Sequence, residues 1–236
     1  LINGAGGLIE TDVAGQRLIL SPASLLVNSG TLSASNGAEL RFGGTAPLLD
    51  NRFGRIIARG AGSRVLIDHP TRIFGGTIET DAAGEVVFDA PTGTFTLDNA
   101  VNLGRLRVQS GTLSAGAGGF IVNSGTITTG TISLDGTITL LGTGQFNASG
   151  WITGGGIINL GNRIGGSGRI DGVDNRSGGI VDASSTSLSL RGAAANSGLM
   201  RASNGGTLSL DSINNTGGRS SSRVRIGQWG SSICSP

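Results

Sequence analysis

The sequence contains no lysine and no tyrosine, a single histidine, His69, and a single cysteine, Cys234. One cysteine excludes a disulfide framework and a cysteine-based zinc knuckle. No run approaches the ~20 apolar residues that a membrane-spanning helix needs. Charged residues make up 14% of the chain and apolar residues 37%, so the composition is not that of a highly charged disordered chain.

Glycine is abundant, with 44 residues in 236 positions. These glycines follow no Gly-X-Y period, which excludes collagen. All seventeen basic residues are arginine, yet the net charge is only +2, so strong nucleic-acid binding is not predicted. The glycine-rich fingerprints of dinucleotide and nucleoside-triphosphate sites do not occur in the sequence, which gives no support for phosphate binding of that kind.

An internal repeat organises the chain. Residues 28–42 (NSGTLSASNGAELRF) and 196–210 (NSGLMRASNGGTLSL) share eight of fifteen positions, at an offset of 168 residues, or eight units of 21. Weaker copies start at Asn123 and Asn175. We expect Asn28, Asn123 and Asn196 to occupy equivalent corners of a repeating structure, where stacked amide side chains hydrogen-bond to one another.

Short runs between these corners alternate apolar residues with Thr, Ser or Arg, which is typical of half-buried strands. Gly and Asn at the corners allow positive φ with little strain. No stretch of useful length shows helical periodicity. The clearest alternating runs are residues 39–42, 105–108, 137–140, 187–190 and 207–210.

Strands this short bury an apolar face only when identical rungs stack. The sequence therefore predicts an all-β fold, a right-handed parallel β-helix (β-solenoid) of about 11 rungs of ~19–23 residues. At about 4.8 Å per rung, the rod would be roughly 50 Å long. We assign residues 1–218 to the β-helix domain and residues 219–236 to an atypical tail, which forms a loop, a cap or a disordered end.

The Asn-Ser-Gly-Thr and Ala-Ser-Asn-Gly-Gly-Thr-Leu-Ser-Leu phrases resemble bacterial surface adhesins, namely β-helical autotransporter passenger domains and filamentous-haemagglutinin-like exoproteins. The resemblance covers about residues 1–218. It implies a non-catalytic rod at the bacterial cell surface, associated with the outer membrane in the parent protein, that binds host or matrix glycans or proteins. From the chain's composition and motifs we predict no cofactor, no metal and no nucleic-acid partner.

The chain opens on Leu1 within the repeating pattern and shows no signal peptide, so we expect it to be a segment of a longer protein. Open terminal rungs leave strand edges unpaired, and end-to-end self-association is expected for the isolated segment.

Five arginines within 21 residues form a candidate anionic-ligand patch, because guanidinium groups bind sulfate, phosphate and carboxylate in a bidentate manner. The opposing interpretation is a solvated face of the rod. The patch consists of Arg52, Arg55, Arg59, Arg64 and Arg72.

A polysaccharide lyase or hydrolase is the main alternative, since paired carboxylates cleave glycosidic bonds. The closest groupings are Glu79, Asp81, Glu85 and Asp89, and the pair Asp171 and Asp174. Few aromatic residues and no lysine weaken that alternative, and exposed charges that keep the rod soluble explain the carboxylates equally. A cluster of acidic or arginine residues beside Trp151 would favour it. A spacer with no ligand is the third possibility.

For three further motifs, a structural explanation is favoured over a functional one. His69 precedes Pro70 and is predicted to be a turn residue, since a catalytic triad needs partners placed by the fold. The Gly165–Asp171 stretch resembles one defective copy of a calcium-binding nonapeptide, and calcium rolls need many consecutive copies. Residues Thr126, Thr128 and Thr137 could form a flat threonine face of the kind that ice-binding solenoids have. Threonine is, however, common on the exposed side of strands.

Overall fold

The computed structural model describes residues 1–44, 48–81, 83–221 and 224–226. Its regular structure is entirely β-strand, and every strand pairing is parallel. Among the described residues there is no helix with the length and apolar character that a membrane span requires. The predicted all-β parallel β-solenoid is confirmed.

The strands follow one another at short intervals along the chain. In order they are β1 (Ile2–Asn3), β2 (Leu8–Thr11), β3 (Arg17–Leu20), β4 (Leu25–Asn28), β5 (Thr31–Ser35), β6 (Glu39–Phe42), β7 (Leu48–Asp50), β8 (Arg55–Arg59), β9 (Arg64–Ile67), β10 (Thr71–Phe74), β11 (Thr77–Thr80), β12 (Glu85–Asp98), β13 (Val101–Asn102), β14 (Arg105–Ser114), β15 (Phe120–Asn123), β16 (Thr126–Thr129), β17 (Ile132–Leu134), β18 (Ile138–Leu141), β19 (Gln145–Ala148), β20 (Trp151–Thr153), β21 (Ile157–Asn159), β22 (Arg163–Gly166), β23 (Arg169–Asn175), β24 (Ile180–Ser184), β25 (Ser187–Asn196), β26 (Leu199–Ser203), β27 (Thr207–Asn214), β28 (Arg219–Ser221) and β29 (Val224–Ile226).

The strands stack into three faces, and each turn of the solenoid adds one segment to each face. Face A contains β1, β4, β7, β10, the second parts of β12 and β14, β17, β20, the first parts of β23, β25 and β27, and β29. Face B contains β2, β5, β8, β11, β13, β15, β18, β21 and the second parts of β23, β25 and β27. Face C contains β3, β6, β9, the first parts of β12 and β14, β16, β19, β22, β24, β26 and β28.

Face C contains eleven strand segments over the described residues, so the solenoid has about eleven turns. The strands β28 and β29 lie in the predicted tail and continue faces C and A. Residues 222–223 and 227–236 of that tail lie outside the described residues.

Apolar side chains fill the interior in columns that run along the solenoid axis, because the period-two pattern turns every second residue inward. Complete burial of each contributes about 1.5–3 kcal/mol. On face C the column runs through the buried residues Leu40, Val65, Val86, Leu106, Ile127, Phe146, Ile164, Val181 and Met200.

Buried asparagines form hydrogen-bonded ladders along the corners, as the sequence predicted. One ladder lies at the corner between faces A and B. There Asn3 Nδ2 donates to Asn28 Oδ1 at 2.7 Å, and Asn28 Nδ2 donates to Asn51 Oδ1 at 2.6 Å. One turn later the corner holds Gly75 and Gly76, and this ladder ends.

A second ladder lies at the corner between faces B and C and runs to Asn215. Asn102 donates to Asn123 at 2.8 Å, and Asn123 donates to Asn162 at 2.8 Å. It continues from Asn159 to Asn175, then to Asn196 and Asn215, with Nδ2–Oδ1 distances of 2.9, 2.8 and 2.7 Å. Asn162 donates its backbone N–H to Asn159 Oδ1, which joins the two runs of this ladder.

The expectation that Asn28, Asn123 and Asn196 occupy equivalent corners is wrong. Asn28 ends a strand of face A, whereas Asn123 and Asn196 end strands of face B. The aligned residues Leu40 and Leu208 accordingly belong to face C and face A. The 168-residue offset therefore spans eight turns and one further third of a turn, because the turns average slightly fewer than 21 residues.

Corner glycines serve two purposes. In the Asn36-Gly37 turn both residues have positive φ, 55° and 80°, and Asn204-Gly205 repeats the geometry at 49° and 80°. Gly198 instead follows a ladder asparagine, where a Cβ atom would lie 2.4 Å from the Arg176 carbonyl oxygen of the preceding turn. Close stacking of turns therefore requires glycine at such positions, independently of φ.

Candidate ligand-binding surface

The five arginines of the predicted anionic-ligand patch lie on different sides of the solenoid. Arg55 and Arg59 are on β8 of face B, Arg64 begins β9 of face C, and Arg72 is on β10 of face A. Arg52 lies at the corner that precedes β8. The structure brings Arg52 and Arg72 together over the Phe74 ring, at 5.3 and 5.5 Å from its centroid.

Carboxylates accompany these arginines. Arg52 forms an ion pair with Asp50 at 2.8 Å, and hydrogen bonds from Arg52 hold the pKa of Asp50 below its ordinary value. Further ion pairs join Arg55 to Glu79, Arg64 to Glu39 and Arg72 to Asp98. Hydrogen bonding from Arg55 likewise lowers the pKa of Glu79, and Arg59 adds an attractive charge. Anion binding at these arginines stays a prediction.

Charges of opposite sign alternate along face C in successive turns. The column is Arg17, Glu39, Arg64, Glu85 and Arg105, which the strand register places directly above one another. Arg17 and Glu39 form an ion pair at 2.5 Å, and Glu85 is paired with Arg107 at 3.0 Å. The alternation places an attractive neighbour of opposite charge in each adjacent turn of this column.

A buried carboxylate lies further along face C. Asp182 Oδ2 accepts hydrogen bonds from Arg163 and Arg201, both at 2.8 Å, and Asp182 Oδ1 accepts one from Ser203 at 2.7 Å. Burial works to raise the pKa of Asp182. The Ser203 hydrogen bond and the Arg201 and Arg163 guanidiniums outweigh it and leave that pKa below its ordinary value. Asp182 joins three consecutive turns.

The carboxylates of the sugar-cleaving alternative are divided among the faces. Glu79 is on face B and Glu85 on face C, while Asp171 is on face A. Asp81 accepts hydrogen bonds from the backbone N–H groups of Ala83, Gly84 and Gly60, which lower its pKa.

The other acidic residues of these groupings also have polar partners. Asp89 accepts hydrogen bonds from Gln109 and Ser110, at 3.1 and 2.7 Å. Asp174 is paired with Arg176 at 2.8 Å. Of the acidic groupings, Asp171 is the member that lies on the face of Trp151.

His69 lies at a turn, as predicted, with its Nδ1 atom 3.0 Å from the Phe42 carbonyl oxygen. Within the described part of the chain, no three His, Cys, Asp or Glu side chains form a group that could hold a metal ion. Cys234 lies outside the described residues.

The outer surface of face A carries an exposed tryptophan in a cluster of polar side chains. Trp151 retains 60% of its accessible surface, and the Arg169 guanidinium lies 5.7 Å from the centroid of its ring. Strand register places Arg169 beside Trp151 in the next turn and then Ser189 beside Arg169. Of the feature that would favour the sugar-cleaving alternative, Arg169 and Asp171 lie beside Trp151, whereas the other carboxylates of that alternative lie elsewhere around the solenoid.

A second column runs parallel to the tryptophan column, two residues further along each strand. Asp171, Arg191 and Asp211 stack in three consecutive turns. Asp171 Oδ1 pairs with Arg169 Nε at 2.9 Å, and Asp211 Oδ1 pairs with Arg191 Nη1 at 2.6 Å. Two cations and two anions therefore form an electrically balanced surface.

These side chains border an open groove of about 580 Å³ at the corner between faces A and B. Five glycines contribute to its lining, and three of them, Gly154, Gly172 and Gly192, have positive φ. A Cβ atom on Gly192 would meet nothing within 4 Å, so the groove is open above this residue. Its volume is within the range of small-molecule sites.

A second groove of about 630 Å³ lies in the first three turns, at the corner between faces B and C. Gly15, Gly37 and Gly62 line it beside the alternating Arg17, Glu39 and Arg64. Among the described residues, no aromatic side chain lines either groove. Trp151 borders the first one, because Arg169, which lines that groove, also lies over the Trp151 ring.

Sequence analysis singled out Trp151, but it predicted neither the groove nor the column of Asp171, Arg191 and Asp211. Asp171, Arg191 and Asp211 are separated by intervals of about one turn. That spacing is the signal that could have found the column. Comparison with protein-family models, curated proteins and solved structures gives no match to this chain.

Proposed function

We propose that this chain is a non-catalytic segment of an extracellular, rod-like bacterial surface protein, of the adhesin or autotransporter-passenger type, that presents binding surface for attachment. One observation carries the proposal: Trp151 is exposed beside an open groove, on a rod whose charged side chains are largely ion-paired. Exposed aromatic side chains next to polar groups are characteristic of binding sites.

Binding is favoured over sugar cleavage by the state of the carboxylates. A general acid needs a raised pKa, so that it still carries its proton near neutral pH. The pKa values of Glu79 and Asp81 are instead lowered, by Arg55 and by backbone N–H groups respectively. Asp171, which lies in the cluster beside Trp151, is engaged by Arg169.

The proposal is tested by displaying the full chain on the surface of a non-adherent bacterium. Attachment to epithelial cells and to surfaces coated with matrix proteins is then counted. We expect attachment above that of the same bacterium displaying an unrelated β-solenoid. Attachment equal to that control on every surface would contradict the proposal and favour a spacer. Release of reducing sugar from polysaccharides by the purified chain would favour the enzyme alternative.

A further inference from the structure

We infer that the groove beside Trp151 is a binding site for a neutral oligosaccharide, with Trp151 as the stacking platform. This inference deepens the proposed function and rests on it for its biological setting. The site is confined to the eighth to eleventh turns, which begin with β20, β23, β25 and β27.

The first argument is the exposure of the aromatic ring. Covering an indole ring with an apolar surface is favourable, because it removes apolar area from contact with water. Trp151 remains 60% exposed, so its ring is available to a ligand. Arg169 lies over the ring at 5.7 Å from its centroid, so a ligand has to use the part of the indole that this guanidinium leaves exposed. The C–H face of a pyranose ring is a flat apolar surface without charge and suits this platform.

The second argument is the charge balance of the groove. Arg169 and Arg191 are matched by Asp171 and Asp211, so the site has no net charge to attract an anionic or a cationic ligand. Each pair offers guanidinium donors next to carboxylate acceptors. A sugar hydroxyl both donates and accepts hydrogen bonds, and neighbouring hydroxyls can use both members of a pair at once.

The third argument is the shape of the groove. It extends from Gly154 in the eighth turn to Asp211 in the eleventh, a rise of roughly 14 Å at about 4.8 Å per turn. Gly172 and Gly192 have no side chains to obstruct an extended ligand. The Gly192 N–H donates to Asp211 Oδ2 at 3.4 Å, which orients this carboxylate at the edge of the groove. A short linear oligosaccharide fits this surface.

The inference is tested with the purified full chain on a glycan array that contains neutral, sulfated and uronic-acid oligosaccharides. The neutral glycans with the strongest signal are then titrated calorimetrically. We expect saturable binding of neutral glycans, with a Kd that changes little between low and high salt because no net charge is involved. Preference for sulfated or uronic glycans, or for no glycan at all, would overturn the inference.

Two variants locate the site. We expect Trp151→Ala to weaken binding at least tenfold, and Asp211→Asn to weaken it severalfold. The matched controls are Phe53→Ala, an aromatic residue 81% exposed at another corner, and Asp174→Asn, an Arg-paired carboxylate outside the groove. Both controls should bind as the parent does. Equal binding by Trp151→Ala and the parent would overturn the inference.

The conservative variant Trp151→Phe guards against a folding defect, because it keeps an aromatic platform and should retain most of the affinity. Failure of this inference is distinguishable from failure of the proposed function. Surface attachment without glycan binding would leave the proposed function standing and remove the oligosaccharide. Glycan binding that depends on Trp151, without attachment of displaying cells, would support the oligosaccharide site and contradict the proposed function.

Discussion

The asparagine ladders should contribute strongly to stability, and Asn175 is the position at which to measure it. This side chain is completely buried. It accepts a hydrogen bond from Asn159 at 2.9 Å and donates to Asn196 at 2.8 Å. It also donates to the carbonyl oxygens of Gly179 and Leu199, at 3.2 and 3.1 Å. The proposed perturbation is Asn175→Ala.

The expected loss of unfolding free energy follows from the hydrogen-bond partners that Asn175→Ala leaves behind. Asn159 Nδ2 keeps its bond to the Asn162 carbonyl oxygen, so its loss is close to the ~1 kcal/mol of an ordinary hydrogen bond. The buried Asn196 Oδ1 atom loses its Asn175 donor, and an unsatisfied acceptor costs about 1–3 kcal/mol. Together these terms lower the free energy of unfolding by about 3 kcal/mol.

The measurement is urea unfolding followed by far-UV circular dichroism, with Trp151 fluorescence as a second probe in a Trp229→Phe background. Asn147→Ala is the control, since Asn147 lies on the outward side of β19 and should change the free energy of unfolding by no more than about 0.5 kcal/mol. If Asn175→Ala were no more destabilising than Asn147→Ala, the ladder would not contribute as argued.

Two further predictions concern the corner glycines and the buried carboxylate. Gly198→Ala should lower the thermal midpoint markedly, because the new Cβ would lie 2.4 Å from the Arg176 carbonyl oxygen. The control Gly4→Ala has open space around it and should leave the midpoint unchanged or slightly higher. Similar midpoints for both variants would contradict the close-approach argument. Asp182 has a folded pKa below the ~3.9 of an unfolded aspartate, so its contribution to the free energy of unfolding is complete above that value and is lost as the pH falls through the folded pKa. Urea midpoints measured between pH 6 and pH 2 should fall less steeply for Asp182→Asn than for the parent, and parallel curves would refute this assignment.

The period-two runs predicted the strands correctly because local alternation decides which side chains turn inward. Leu40 and Leu208 are buried, as their alternating neighbours indicate. The face to which each strand belongs could not be predicted, because it depends on summed turn lengths between distant residues. A few residues of variation per turn moved Asn196 to a different corner from Asn28.

The charged surfaces were harder to predict for the same reason. In the sequence, Arg64 belongs to a local cluster of arginines. Its hydrogen-bond partner Glu39 is 25 residues away and lies in the preceding turn. Arg169 reaches Trp151 in the same way, from one turn further along the chain. Such neighbours become recognisable only when the turn length is known residue by residue.

The displacement of the repeated phrase by a third of a turn has a consequence for recognition. The last strand of residues 28–42 lies on face C, and the last strand of residues 196–210 lies on face A. Identical outward side chains in the two copies therefore point in different directions around the axis. One flat partner cannot engage both copies at once, so duplication of this phrase brings no avidity from a single surface. The two copies instead present the same side chains on different sides of the solenoid.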